Sequence, residues 1–167
     1  MQAATIIKVG DPILQSQSKE VTNFGTKALS ELIEYLFFNL EYYNGAGIAA
    51  PQIGEPWRIF VYGFSKNLRY PKIKPIEKTV LINPEIYSFS KETNDFYEGC
   101  LSIPNIRGKV SRSTSIKIKA KTINGESLEK LLDGFEARIV QHEIDHLNGI
   151  LFPERMSNLK TLLYTEN

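Results

Sequence analysis

Apolar residues recur at helical spacing in two stretches of the chain and at strand spacing in several others. From about Thr26 to Asn44, residues Leu29, Leu32, Ile33, Leu36 and Leu40 share one face and Gly45 ends the run, which predicts a long N-terminal helix. Its aromatics Tyr35, Phe37, Phe38, Tyr42 and Tyr43 read as core and cover. A second helix of roughly four turns is predicted between Asp133 and Gly149. Asp133-Gly134-Phe135-Glu136 has the form of a capping box, and Gly149 suits a C-terminal stop. Projected at about 100° per residue, Phe135, Ile139, His142 and His146 fall on one stripe, with Val140, Ile144 and Leu147 beside it. Only Arg138, Gln141, Asp145 and Asn148 form a polar arc. The helix is therefore expected to be mostly buried, with both histidines on its apolar side.

Short strand-like runs lie between the helices. They are Arg58 to Tyr62, Val80 to Asn83, Ile86 to Phe89 and Phe96 to Ser102. Ile116, Ile118 and Ala120 alternate with Lys117, Lys119 and Lys121, the mark of a half-buried strand. Asn124-Gly125 predicts a type I′ hairpin turn into Glu126 to Leu132. Ser65 to Lys78, with five cations interleaved with Pro71 and Pro75, reads as a solvated loop. The expected architecture is one α+β domain spanning 1–167. Short, mostly antiparallel strands pack around the second helix, and the first helix lies outside.

Composition narrows the function classes. At 167 residues and 19.0 kDa the chain suits one domain with a real core. A net charge of +1 gives no argument for nucleic acid or an anionic membrane surface. No run approaches the ~18 apolar residues of a membrane span, and the N-terminus lacks signal-peptide or presequence character, so a cytoplasmic protein is expected. The single cysteine, Cys100, cannot form an internal disulfide and is free for chemistry or packing.

The candidate chemistry begins at Gln141-His142-Glu143-Ile144-Asp145-His146. Histidines four apart on a helix stand one above the other and can share one divalent cation, while the adjacent Glu143 can move protons for an activated water. A catalytic site of this kind needs a third protein ligand. Downstream, Phe152 occupies the place of a third histidine, Glu154 follows too soon and Glu166 is next to last. Upstream, the best candidate is Cys100, in Glu98-Gly99-Cys100-Leu101-Ser102. The rival role for Cys100 is a nucleophile with a histidine as base, which would leave the HExxH pair without a use. The small residues of Gly45-Ala46-Gly47-Ile48-Ala49-Ala50-Pro51-Gln52 read by composition as a turn that a second backbone can approach.

These three segments, in this order, resemble the three motifs of the peptide deformylase family, and Gly10-Asp11-Pro12 with Leu14 resembles its opening. The resemblance implies that Cys100, His142 and His146 hold the metal, that Glu143 is the general acid/base, and that Gln52 with the Leu101 N–H completes an oxyanion site. It implies Fe²⁺ as the working ion, with Zn²⁺, Ni²⁺ or Co²⁺ accepted. It further implies removal of the formyl group from N-formylmethionyl nascent peptides, and a transient approach to the ribosome near its exit tunnel. Gly45, Ala46, Gly47 and Gly99 are the expected peptide seat, and Phe135 with Ile139 the expected methionine pocket. Glu98 is expected to be a structural partner within the site. The long basic C-terminal helix that some bacterial members use on the ribosome does not follow in this sequence, so that route is not expected. The alternatives are an HExxH endopeptidase and a peptide-binding protein without catalysis.

Overall fold

A computed structural model describes residues 1–166. Helix α1 is Lys27–Tyr42, and the strands that follow are β1 Gly47–Ala49, β2 Ile59–Phe64, β3 Ile76–Phe89, β4 Thr93–Cys100, β5 Ile103–Ser113, β6 Ser115–Lys121 and β7 Ser127–Asp133. Helix α2, Gly134–Leu147, and the short β8, Leu163–Tyr164, complete the described α-helices and strands. Two antiparallel sheets form, one in the order β1-β2-β3-β6-β7 and one in the order β4-β5-β8. Among the described residues, no helix is long and apolar enough to cross a membrane.

Strand β2 explains the layering. Every one of its residues is buried, because alternate side chains serve different helices. Phe60, Tyr62 and Phe64 join Ala137, Val140, Ile144 and Leu147 of α2, together with Leu81, Ile116 and Ile118. Ile59 and Val61 face the other way and pack with Leu29, Ile33, Leu36 and Leu40 of α1. The larger sheet is thus sandwiched between the two helices, and the opposite flank of α2 is covered by β4 and β5.

Several local expectations need correction. The runs Val80 to Asn83 and Ile86 to Phe89 are one strand, interrupted by a register shift between Ile82 and Glu85. Asn83 sits there at φ 49, and its side-chain amide bonds both Val21 N and Val21 O at 2.9 Å, standing in for a strand partner. Strand β4 starts at Thr93 and ends at Cys100, so Leu101 and Ser102 form the turn into β5. Strand β5 was not expected at all. Its first residue, Ile103, is buried, but the alternating inward run of Gly108, Val110 and Arg112 carries a single apolar side chain.

The 124–125 turn is not type I′, which needs positive φ at both central residues. Here Gly125 is left-handed (φ 84) while Asn124 is not, and Gly125 N bonds Thr122 O, giving a three-residue loop closed by glycine. The capping box is also absent. Asp133 is the N-cap of α2 but makes no capping bond, because it is still paired to Ser115 as the last residue of β7. Glu136 instead accepts a hydrogen bond from the Tyr62 hydroxyl at 2.8 Å.

Candidate active site

One turn of α2 presents His142 and His146 with ring centroids 5.0 Å apart, and the end of β4 brings Cys100 to them. The Cys100 Sγ lies 3.1 Å from His146 Nε2, and the three potential ligand atoms all lie within 4.8 Å of one another. Metal–ligand bonds of about 2.0–2.3 Å place the corners of a tetrahedral site roughly 3.3–3.7 Å apart, so small adjustments suffice to close these donors on one ion. Burial pushes the Cys100 thiol up, but the charges and hydrogen bonds of His146 and His142 hold it well below its ordinary value, as a thiolate. Burial likewise opposes charge on His142, and its contacts with Cys100 and Glu98 hold its pKa well above the ordinary value. A thiolate among imidazoles is the donor set of a borderline-soft divalent cation, so the residues fit such an ion.

Orientation comes from a buried ionic chain. Glu98 Oε2 meets His142 Nδ1 at 2.9 Å, which leaves Nε2 to face Cys100 and His146. Arg112 donates to both Glu98 oxygens at 2.7 and 2.9 Å, and to Asp145 Oδ2 at 2.7 Å. Arg138 adds a bond to Glu98 at 2.6 Å, and Arg155 clasps Asp145 from the half-exposed end. Burial would raise the Glu98 pKa, yet His142 and Arg112 keep it well below the usual carboxylate range. The polar arc of α2 is therefore not a wet face. Arg138 and Asp145 are committed to charges on β4 and β5, and Gln141 bonds Ser113 O at 2.9 Å. Sequence reasoning kept Glu98 as a partner but missed Arg112 and Arg155.

Glu143 points the other way, into a cleft. It is 4% exposed, its Oε2 has no hydrogen-bond partner among the described residues, and burial raises its pKa to about 7. His142 and His146 pull that value down, but less than burial lifts it. Across the cleft Gly47 closes on Glu143 so tightly that an added methyl would lie 2.8 Å from Glu143 Cδ. Gln52 is held by Ala49 N, which donates to its Oε1 at 2.9 Å. Its Nε2 reaches Ser102 Oγ at 3.2 Å and Cys100 Sγ at 3.5 Å. Leu101 lines the same cleft, and Lys8 donates to its carbonyl at 2.8 Å.

Gly45, Ala46, Gly47, Gly99, Phe135 and Ile139 all line this cleft. So do four residues that sequence reasoning did not select for the site, namely Arg69, Tyr70, Phe96 and Arg138. Tyr70 packs on Phe135 and Phe96, with ring centroids 4.8 and 6.0 Å away. The basic loop is thus only partly solvated. Asn67, 4% exposed, donates to Gly45 O at 3.1 Å and Asn44 O at 3.3 Å, stapling the loop to the cleft rim. The available signal was a tyrosine directly before Pro71 and among cations, too short to show a period.

The polypeptide deformylase family profile matches residues 3–162. Peptide deformylase 2 of Ralstonia nicotianae is 43% identical over 96% of this chain and 91% of its own length. Peptide deformylase 1 of Nitrosomonas europaea is 40% identical over 96% and 92%. Among solved structures, the Met-Ala-Ser-bound class I type b peptide deformylase of Acinetobacter baumannii superposes with a TM-score of 0.90. It is 40% identical, over 93% of this chain and 99% of that one.

Proposed function

The chain belongs to the polypeptide deformylase family, and from that membership we propose how its cleft works. The protein is a hydrolase that removes the formyl group from the N-terminal formylmethionine of newly made polypeptides. Water adds to the formyl carbon, the carbon–nitrogen bond breaks, and formate and a free amine are released.

Cys100, His142 and His146 would hold one divalent ion, iron(II) in our reading, with zinc, nickel or cobalt accepted by the same donors. When bound, the ion supplies Lewis acidity, polarising the formyl oxygen and acidifying water. Glu143 takes the proton from the attacking water and delivers it to the departing nitrogen. Burial, which lifts the Glu143 carboxyl above its ordinary value, suits it to both tasks. Gln52 Nε2 and the Leu101 N–H donate to the oxygen on which negative charge grows, and one such donor is worth about 3 kcal/mol. The methionine side chain enters the pocket of Phe96, Phe135 and Ile139, while the peptide backbone runs between Gly45–Gly47 and Gly99. Binding of Met-Ala-Ser by the Acinetobacter relative supports that seat. We place the enzyme in the cytoplasm, meeting chains transiently near the ribosomal exit tunnel, because its substrate is the formylated end of a nascent chain.

The observation that carries the catalytic reading is Glu143, buried, unpartnered and raised to about 7 beside the Cys100–His142–His146 group. The test is formate release from formyl-Met-Ala-Ser by anaerobically purified, Fe²⁺-loaded protein. Acetyl-Met-Ala-Ser and an internal, unformylated peptide serve as controls. Release from the formyl peptide alone supports the reading; cleavage of the internal peptide would make the chain an endopeptidase.

Gly47 gives a sharper check on geometry. A methyl there would lie 2.8 and 2.9 Å from Glu143 Cδ and Cγ, so Gly47→Ala pushes the carboxylate away from the reacting atoms. The expected result is a fall in kcat of about 10²-fold with metal content unchanged. Parental kcat in a metal-loaded variant would show that the position of Glu143 is not critical.

A further inference from the structure

We propose that Arg69 and Arg107 form a carboxylate-selecting subsite at the rim of the cleft, which reads an Asp or Glu side chain at the third residue of the formylated peptide. The inference rests on the deformylase reading and on the methionine side chain entering the aromatic pocket. Tyr70 is the hinge of the argument. One side of its ring packs against Phe135 and Phe96 inside the cleft, and the Arg107 guanidinium lies 5.1 Å from its centroid. Arg107 also runs along Gly99, where an added Cβ would lie 3.4 Å from its Cγ. Arg69, the neighbour of Tyr70, lines the cleft itself.

These two cations differ from the lysines around them. Lys66, Lys72 and Lys74 are exposed, whereas Arg69 and Arg107 are half-buried, Arg107 with its stem along Gly99. Neither arginine makes an ion pair among the described residues. The other charged groups lining the cleft are spoken for: Glu98 and Arg138 are buried together in the ionic chain with Arg112, and Glu143 is buried at the chemistry. Asn67 fixes the loop, accepting from Arg69 N at 2.9 Å while donating to Gly45 O. The rim therefore carries held, unneutralised guanidinium charge.

Register selects the residue that meets it. In an extended peptide, side chains two apart share a face and lie about 6.7 Å apart. With methionine in the aromatic pocket, the third side chain emerges on the same side, over the Tyr70–Arg107 rim. The second points away. A fixed guanidinium fork matches a carboxylate, and partial exposure limits the gain to a few-fold, screened by salt.

The test compares kcat/KM for formyl-Met-Ala-Glu-amide, formyl-Met-Ala-Gln-amide and formyl-Met-Glu-Ala-amide, using Fe²⁺-loaded enzyme. The amidated ends remove the terminal carboxylate as a rival ligand, and a free-acid arm measures its effect separately. At low salt the Glu peptide is expected to exceed the Gln peptide about fivefold, with the ratio shrinking toward one in 0.5 M NaCl, an ionic strength on the order of the screening limit. Arg69→Gln with Arg107→Gln should bring the Glu-to-Gln ratio to one, and the Lys versions should keep part of it. A ratio of one in the parent, an equal gain from Glu at the second residue, or a ratio that survives the double substitution would overturn the proposal. Turnover of the Gln peptide reports the deformylase reading independently.

Discussion

Glu143→Gln is expected to fold, to bind its metal, and to lose about 10³-fold in kcat on formyl-Met-Ala-Ser. Glutamine matches glutamate in shape and keeps the packing against Gly47, but it has no basic oxygen to accept a proton and no acid proton to return. General acid–base groups contribute typically ~10²–10⁴-fold, and Glu143 acts in both halves of the reaction. Its environment suits the double role. Burial foremost brings the carboxyl to about 7, and its free Oε2 has no competing partner among the described residues. Formate release, metal content and thermal unfolding measured on one preparation separate the possibilities. Loss of activity with loss of metal would place Glu143 among the groups that hold the site. Full activity with metal bound would mean that another group moves the proton.

What could be read from the chain followed the strength of its periodicities. Both helices announced themselves through i, i+3, i+4 spacing, and the HExxH histidines needed only that spacing to be set on one face. Cys100 is distant in sequence from them, and the structure brings its sulfur to the His146 ring. That pairing was reachable because ligand chemistry called for a third donor and the downstream candidates failed. Strand β5 was unreadable for the opposite reason. Its inward positions carry Gly108, Val110 and Arg112, so a charge sits where a strand pattern wants an apolar residue. A buried arginine makes sense only beside Glu98 and Asp145, from two other elements, and no local window holds all three. The same holds for Asn67, whose side chain ties the basic loop to Gly45 across the fold.

Arg112 is the residue by which this hidden strand holds the site together, and Arg112→Met is expected to destabilise the protein by about 3–4 kcal/mol at neutral pH. Arg112 is 6% exposed and makes three charge-assisted bonds, two to Glu98 and one to Asp145. Removing one partner of a buried ion pair costs roughly 3–5 kcal/mol, because the other charge is left without its counter-ion. Arg138 and Arg155 still reach the two carboxylates, which keeps the loss in the lower part of that range. The pH dependence has a definite sign. The folded-state pKa of Glu98 lies below its unfolded value, so its stabilisation is fully present above the usual carboxylate range and is lost as pH falls from that range through the lower folded-state value. The variant should therefore fall furthest below the parent near pH 7, with the gap narrowing as the solution is acidified below about pH 4. Urea unfolding of metal-free protein at both pH values measures this without a contribution from ion binding. Because Glu98 also orients His142, the same variant should bind its metal about 10–100-fold more weakly. A variant as stable as the parent but weak in metal binding would assign the ionic chain to ligand orientation alone; equal loss at both pH values would show that Glu98 is not the charge Arg112 stabilises.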